Sequence, residues 1–155
     1  MKIYRLSALE FPTDDPDQLD DYDDSLPSDK YDDAFDIFTK SKIRFDSTKD
    51  IKDIVLSDGV VVGATASGWS TIGDTAEFSF DVVVKEEHRG VGIGTQLIER
   101  AMQMFQSERF NYEDMDLKTI MKLEVVNLPL GDFLINKYGF KVLQKQSDRI
   151  FLSLE

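Results

Sequence analysis

The chain has 155 residues, of which 41% are hydrophobic and 11% aromatic, so it can fill the core of one domain. It contains no cysteine and a single histidine, which excludes disulfides, thiolate catalysis, Cys-based metal sites and a His-rich metal centre. We therefore expect no metal. The formal net charge is −12, and nearly all of it comes from one segment.

That segment is an acidic insert at about residues 12–36. Between Glu10 and Asp36 twelve residues are acidic and only Lys30 is basic, whereas the rest of the chain is almost neutral. A single acidic patch attracts cationic ligands and speeds their arrival, which favours a cationic partner. A solvated loop that only confers solubility is the alternative, and the sequence leaves both open. Direct binding of nucleic acid is not expected, because no basic stripe exists to neutralise phosphates.

No membrane-spanning or secretory segment is predicted. No apolar run reaches the roughly 18 residues that a membrane span needs. Residues 1–5 alternate between polar and apolar types, and no signal-peptide core follows them. We therefore expect a cytoplasmic protein with no membrane partner.

Hydrophobic periodicity predicts both strands and helices. The first helix begins at Ser28 or Asp29, which can cap it, and apolar residues at spacings of three and four give it one buried face. The continuous run Val82–Val84 indicates a strand that is buried on both faces. The predicted elements are, in chain order, a strand at 1–11, a loop at 12–28, a helix from 28 closed by basic residues at 40–44, strands at 51–56, 60–69 and 77–84, a helix at 95–109, a polar linker at 111–116, a strand at 121–126, a helix at 127–138, and strands at 140–146 and 150–154.

This order places runs of antiparallel strands around one β-loop-α-β unit. It predicts an α/β fold with a mixed, mostly antiparallel sheet, and it argues against a repeat protein or a helical bundle. No internal repeat and no interdomain linker is visible, so residues 1–155 are expected to form a single domain.

The sharpest motif is a glycine loop at Arg89–Thr95, which reads Arg-Gly-Val-Gly-Ile-Gly-Thr. Three glycines in five residues let the backbone curl tightly and let a ligand approach closely. The unsatisfied amides at the start of the following helix form an anion site, most naturally for a phosphate or pyrophosphate. A P-loop is excluded because the required lysine is absent. The dinucleotide fingerprint is excluded because Thr95 occupies its third glycine position, and because Asp114 and Asp116 precede the next strand instead of ending it.

The glycine loop resembles the cofactor loop of the GNAT superfamily of N-acetyltransferases. The signature of that family is Arg or Gln followed by x-x-Gly-x-Gly or Ala, which this chain has at Arg89–Gly94. The flanking segments 82–88 and 96–101 resemble the family too, as does a second block with Leu123–Asn127 and Lys137–Phe140. The resemblance covers nearly everything except the acidic insert, and it implies a GNAT-like acyl-CoA N-acyltransferase fold.

The resemblance implies acetyl-CoA as the ligand and coenzyme A as the product. The main chain of Val82–Val84 would bond the pantetheine arm, and the amides from Gly90 to Thr95 would hold the pyrophosphate. The cofactor-binding residues that the resemblance implies are Val82, Val83, Val84, Arg89, Gly90, Val91, Gly92, Ile93, Gly94, Thr95 and Asn127.

Direct acetyl transfer to an amine needs a base, a donor that polarises the carbonyl oxygen, and a proton for the leaving thiolate. An amide near Val84 is placed for the oxygen. The family often uses a strand carboxylate as base, and Glu77 and Asp81 lie four apart on one strand, so they share a face. Either could serve, and Asp81 is favoured because it is closer to the acyl end. An ordinary solvent-facing role is the alternative for both.

This chain departs from the family at the position of the acid that protonates the thiolate. The family commonly has a tyrosine five residues before the phenylalanine of its Gly-Phe corner. That position is Ile135 counted from Phe140, or Leu134 counted from Asn127, and neither can donate a proton. Tyr138 lies three residues further along, about 300° round the helix. It is either the acid or a half-buried aromatic, and otherwise another tyrosine or a water would have to serve.

The sequence therefore predicts an acetyl-CoA-dependent N-acetyltransferase that acts on a primary amine by direct attack. The predicted acceptor is cationic: a polyamine, an aminoglycoside-like amine or a basic protein segment. The alternative is a weak or inactive binding module of the same fold, whose acidic arm engages a basic or nucleic-acid-binding partner protein. The acceptor, the strictness for acetyl and the presence of a homodimer stay open.

Overall fold

The computed structural model describes residues 2–5, 28–41, 48–126 and 128–155. Predictions for the other positions, including Asn127 and most of the acidic insert, lie outside the described residues. The described elements are β1 (Lys2–Arg5), α1 (Ser28–Lys40), β2 (Asp50–Ser57), β3 (Val60–Ile72), β4 (Thr75–Val84), a single 3₁₀ turn (Glu86–His88), α2 (Ile93–Glu113), β5 (Lys118–Val125), α3 (Leu128–Tyr138), β6 (Lys141–Lys145) and β7 (Ile150–Leu154).

The seven described strands form one mixed sheet. Their order is β1-β2-β3-β4-β5-β7-β6. The pair β4–β5 is parallel and every other neighbouring pair is antiparallel. A parallel pair needs a crossover, which α2 supplies between β4 and β5. The predicted α/β fold with one central β-loop-α-β unit is thereby confirmed.

The described helices pack on both faces of the sheet. Phe78 and Phe80 of β4 pack with α2 and with Leu134 of α3 on one face. On the other face Val83 joins Ala34 and Phe38 of α1. Burial of such large apolar side chains contributes roughly 1.5–3 kcal/mol each. Val83 and its neighbours Val82 and Val84 pack into clusters on opposite faces, as the continuous apolar run predicted.

Several elements extend further than predicted. Helix α2 continues to Glu113, because Tyr112 stacks on Trp69 with ring centroids 4.3 Å apart and because Arg109 pairs with Glu113 at 2.6 Å. The predicted linker at 111–116 is therefore wrong in its first half. Strands β3, β4 and β5 extend through polar residues that pair across the sheet. Among the described helices, none is long and apolar enough to cross a bilayer.

Candidate active site

The parallel pair β4–β5 opens at one end. Its ladder runs from Thr75↔Lys118 to Phe80↔Leu123 and ends there. Strand β4 nevertheless continues beside β3 as far as Gly63↔Val84, and Lys85 still donates a 2.8 Å hydrogen bond to Val62 O. The backbone of Val82–Val84, called the open edge below, therefore faces a gap where β5 has diverged. An extended ligand chain can pair with such an edge as a further strand would.

The glycine loop begins five residues beyond the open edge. Gly90 and Gly92 have φ of +84° and +89°, a conformation that strongly favours glycine. A Cβ built on either residue would meet no atom within 4 Å, so both face open space. The loop thus leaves room on its outer side for a bound group.

Helix α2 starts from this loop with its positive end exposed to that space. Gly92 is the N-cap and provides no side-chain cap. The first hydrogen bond at this end runs from Gln96 N to Gly92 O, at 3.0 Å, which leaves the amides from Ile93 to Thr95 without helical partners. Unpaired amides and the helix dipole together suit an anion such as a pyrophosphate.

Arg89 connects the glycine loop to the open edge. Its Nε donates a 2.9 Å hydrogen bond to the carbonyl oxygen of Val84. The guanidinium is therefore turned back towards the strand and fixes the direction in which the loop leaves β4. The resemblance implies Arg89 as a cofactor-binding residue, and what the structure shows is a contact that holds the loop.

Both predicted carboxylates lie on the face opposite α2 and α3. Asp81 is fully buried, and its Oδ2 accepts a 2.9 Å hydrogen bond from Lys49 Nζ. Glu77 accepts one of 2.6 Å from Lys122 Nζ. Asp81 directly follows the last ladder pair, whereas Glu77 lies within the ladder opposite Ile120. Of the two, Asp81 is therefore the residue at the opening.

Sequence reasoning missed a third carboxylate at this opening. Glu124 follows Leu123 in β5, on the same face as Asp81, and accepts a hydrogen bond from Arg149 Nη1. The alternation of β5 could have indicated its direction, because Leu123 and Val125 are buried in the core on either side of it. Its position beside Asp81 could not be found from the sequence, because it depends on the register of the parallel pair.

Tyr138 points towards α2. Its hydroxyl donates a hydrogen bond to the carboxylate of Glu99, and Lys137 Nζ lies 3.6 Å from the same carboxylate. Burial, together with this acceptor, raises the pKa of Tyr138 above its ordinary value of about 10. The residue is thus a neutral phenol at physiological pH. Leu134 is buried in the core and Ile135 packs against it, so the usual tyrosine position of the family is apolar here.

A buried charge cluster, also missed from the sequence, fastens α2 to the sheet. Asp53 of β2 has a side chain that is 1% exposed, and its Oδ1 accepts hydrogen bonds from Arg5 Nε at 2.7 Å and Arg100 Nη2 at 3.2 Å. Thr65 Oγ1 donates to Oδ2 at 3.2 Å. The cluster joins β1, β2, β3 and the second turn of α2, so it fixes the helix whose first turn carries the predicted anion site.

Comparison with protein-family models identifies the class that this fold and site define. Residues 3–122 match the model described as the acetyltransferase (GNAT) family. The chain therefore belongs to the GNAT family of acetyltransferases, as the resemblance implied. The family transfers acetyl groups generally, and membership in it leaves the acceptor of this chain open. No curated protein sequence matches the chain.

Two solved structures with a similar fold are distant from this chain in sequence. Naa50 of Arabidopsis thaliana, in complex with the bisubstrate analogue CoA-Ac-MVNAL, is 14% identical with a TM-score of 0.59, covering 85% of this chain and 96% of that one. ElaA of Escherichia coli is also 14% identical, with a TM-score of 0.58, covering 84% of this chain and 93% of that one. These likenesses establish the common fold.

Proposed function

We propose that this protein is an N-acetyltransferase that moves the acetyl group of acetyl-CoA onto a primary amine by direct attack. The observation that carries the proposal is the open edge of β4 next to the first turn of α2, whose amides have no side-chain cap. A ligand with an amide-rich arm and a pyrophosphate fits these two features in that order. The Naa50 complex, which holds an analogue containing CoA, is consistent with this class of ligand.

The residues present fit coenzyme A at each part of the proposed site. Val82, Val83 and Val84 would pair with the pantetheine arm through their main chain. Amides from Gly90 to Thr95 would hold the pyrophosphate, since Gly90 and Gly92 leave their outer side empty. Asn127 is proposed as a further contact from the family pattern alone.

The proposed chemistry takes its base from the face on which the carboxylates lie and its acid from the opposite face. Asp81 is proposed as the base for the acceptor amine, with Glu77 as the second candidate. An amide near Val84 would polarise the carbonyl oxygen of the acetyl group. Tyr138 is the proposed acid, and it would have to exchange its hydrogen bond with Glu99 for one to the thiolate. A water is the alternative donor.

We propose a cationic acceptor: a polyamine, an aminoglycoside-like amine or a basic protein segment. The described part of the acidic insert supports this, because α1 packs on the same sheet face as Asp81. Its side chains Asp29 and Asp33 are 72% and 53% exposed. Acids on that face would raise the local concentration of a cation near the opening.

A binding module without turnover is the second candidate. The acidic insert favours it, since an acidic arm on a near-neutral domain can mimic nucleic acid towards a basic partner. A pull-down with basic partners, using the wild type and Gly92→Val, separates the two functions. If the protein is an enzyme, Gly92→Val abolishes its activity. If it is a binding module, Gly92→Val still retains the basic partner.

A thermal-shift titration with acetyl-CoA, coenzyme A and ATP tests the proposed function. A ligand that binds only the folded state adds about 2.7 kcal/mol at a hundred times its dissociation constant. We expect saturable stabilisation by both coenzyme A species and a smaller shift with ATP. The absence of a shift with either coenzyme A species would reject the proposal.

A further inference from the structure

Lys49 has no part in the function proposed above, yet its amine lies at the opening between β4 and β5. Its Nζ is 2.9 Å from Oδ2 of Asp81, with the two side chains 12% and 1% exposed. Asp81 is the first residue of β4 beyond the ladder with β5. A primary amine and the proposed base are therefore already in contact beside the open edge.

The backbone fixes Lys49 in this position. The carbonyl oxygen of Thr48 crosses over Gly68 of β3, and a Cβ built on Gly68 would lie 1.8 Å from that oxygen. Only glycine allows the chain to approach the sheet so closely. The neighbouring Ala66, which pairs with Asp81 across the ladder, is also small and leaves space above the strand for the lysine side chain.

We infer that Lys49 is an internal acetyl acceptor, so that the protein acetylates its own Lys49. This inference rests on the proposed function, because the donor is acetyl-CoA bound along the open edge. Residues of a strand are about 3.3 Å apart along its axis, so Val82 lies about 3 Å and Val84 about 10 Å along the strand from Asp81. An amine held on Asp81 is thus closest to an acetyl group at the Val82 end of that edge.

The transfer balances without any further reactant. The Lys49 nitrogen gives a proton to Asp81 and forms a bond to the acetyl carbonyl carbon, while the bond from that carbon to sulfur breaks. The ammonium loses two protons in total on becoming an amide. One of them ends on the thiol of coenzyme A and the other passes to solvent.

Lys122 provides a matched control within the same sheet face. Like Lys49, it is hydrogen-bonded to a carboxylate, that of Glu77, at 2.6 Å. Glu77 lies inside the ladder, opposite Ile120, and four residues before Asp81. Lys122 therefore also has a carboxylate partner, but it is more exposed than Lys49, 37% against 12%, and its partner lies away from the opening.

The first experiment incubates the full chain with acetyl-CoA and follows acetylation of each lysine by peptide mass spectrometry. We expect Lys49 to be acetylated at least about tenfold faster than Lys122, at a rate per molecule that does not depend on protein concentration. Gly92→Val and Asp81→Asn should each slow the acetylation of Lys49 to the rate measured for Lys122. Equal rates in the wild type, or a Lys49 rate unchanged by Gly92→Val, would overturn the inference.

A second readout needs no acetyl group and no turnover. The ammonium resonance of Lys49 in ¹⁵N NMR should shift when coenzyme A is added, and that of Lys122 should not. If coenzyme A binds and external amines are acetylated while Lys49 is neither shifted nor modified, the inference is wrong and the proposed function stands. If coenzyme A does not bind, the proposed function fails and the inference fails with it.

Discussion

At the scale of single residues, two positions of the glycine loop differ in how strongly their backbone conformation requires glycine. Gly92 has φ of +89°, which costs an L-residue roughly 1–2 kcal/mol, more for a β-branched one. Gly94 is an ordinary helical residue, and its Cβ would lie 3.8 Å from Val84 Cγ2, a normal contact.

We expect Gly92→Val to weaken coenzyme A binding at least about tenfold, because the first-turn amides of α2 move with residue 92. Gly94→Ala should stay within about twofold of wild type, since its Cβ makes no clash. Titration calorimetry measures both. Unchanged affinity in Gly92→Val would show that the glycine loop is not part of the coenzyme A site.

The half-buried phenol of Tyr138 predicts a dependence of stability on alkaline pH. Its pKa is raised in the folded state, so its contribution is complete below about pH 10 and is lost as the pH rises through the folded value. Denaturant unfolding should show wild type losing more free energy of unfolding than Tyr138→Phe above about pH 10. Tyr112, whose pKa is also raised, is present in both proteins and cancels. Parallel curves for the two proteins would contradict this account.

Individual site residues were predictable where a local pattern carried them. The shared face of Glu77 and Asp81 follows from strand parity, and the tight curl of the glycine loop follows from its three glycines, two of which have positive φ. The partners Lys49 and Arg149 were not predictable. Each reaches its carboxylate from a distant part of the chain, and no local periodicity records such a contact.

At the scale of elements, α2 depends on the buried cluster around Asp53. Replacing Asp53 by Asn removes the charge that Arg5 and Arg100 share, at guanidiniums whose side chains are only 14% and 15% exposed. We expect a loss of about 3 kcal/mol in the free energy of unfolding, measured in urea. The control Asp36→Asn, on the exposed side of α1, should change it by less than about 0.5 kcal/mol. Equal effects would mean that the cluster does not anchor the helix.

The bounds of elements were predicted well where the apolar periodicity was strong. They were predicted poorly where contacts between distant segments set them. The predicted range of β7 was correct, and so was the end of α3 at Tyr138. The end of α2 and the start of β5 were missed, because Tyr112 is held by Trp69 and Lys118 by Asp74, in contacts between distant segments.

At the scale of the whole molecule, the negative charge lies in one insert on a nearly neutral domain. If this insert gathers a cationic acceptor, kcat/KM should fall steeply as salt shortens the Debye length from about 30 Å at 0.01 M to about 8 Å at 0.15 M. We expect at least about a tenfold fall for a polyamine and a smaller one for a monoamine. Identical salt dependence for both amines would mean that the insert does not attract the acceptor and only confers solubility.

The mixed sheet and its β-loop-α-β unit were predictable from the order of the elements, because a loop and helix between two buried strands imply a parallel pair. The point at which β4 and β5 separate was not, since Leu123 and Glu124 continue the alternation of β5 without a break. The open edge is therefore a property of the assembled sheet.

The most direct test of the account is to follow release of free thiol from acetyl-CoA, in the presence and absence of a polyamine, together with the acetylated amine. The account predicts amine-dependent release with one thiol per acetyl group transferred, retained in Gly94→Ala and lost in Gly92→Val. A protein that binds coenzyme A but releases no thiol with any primary amine would contradict it.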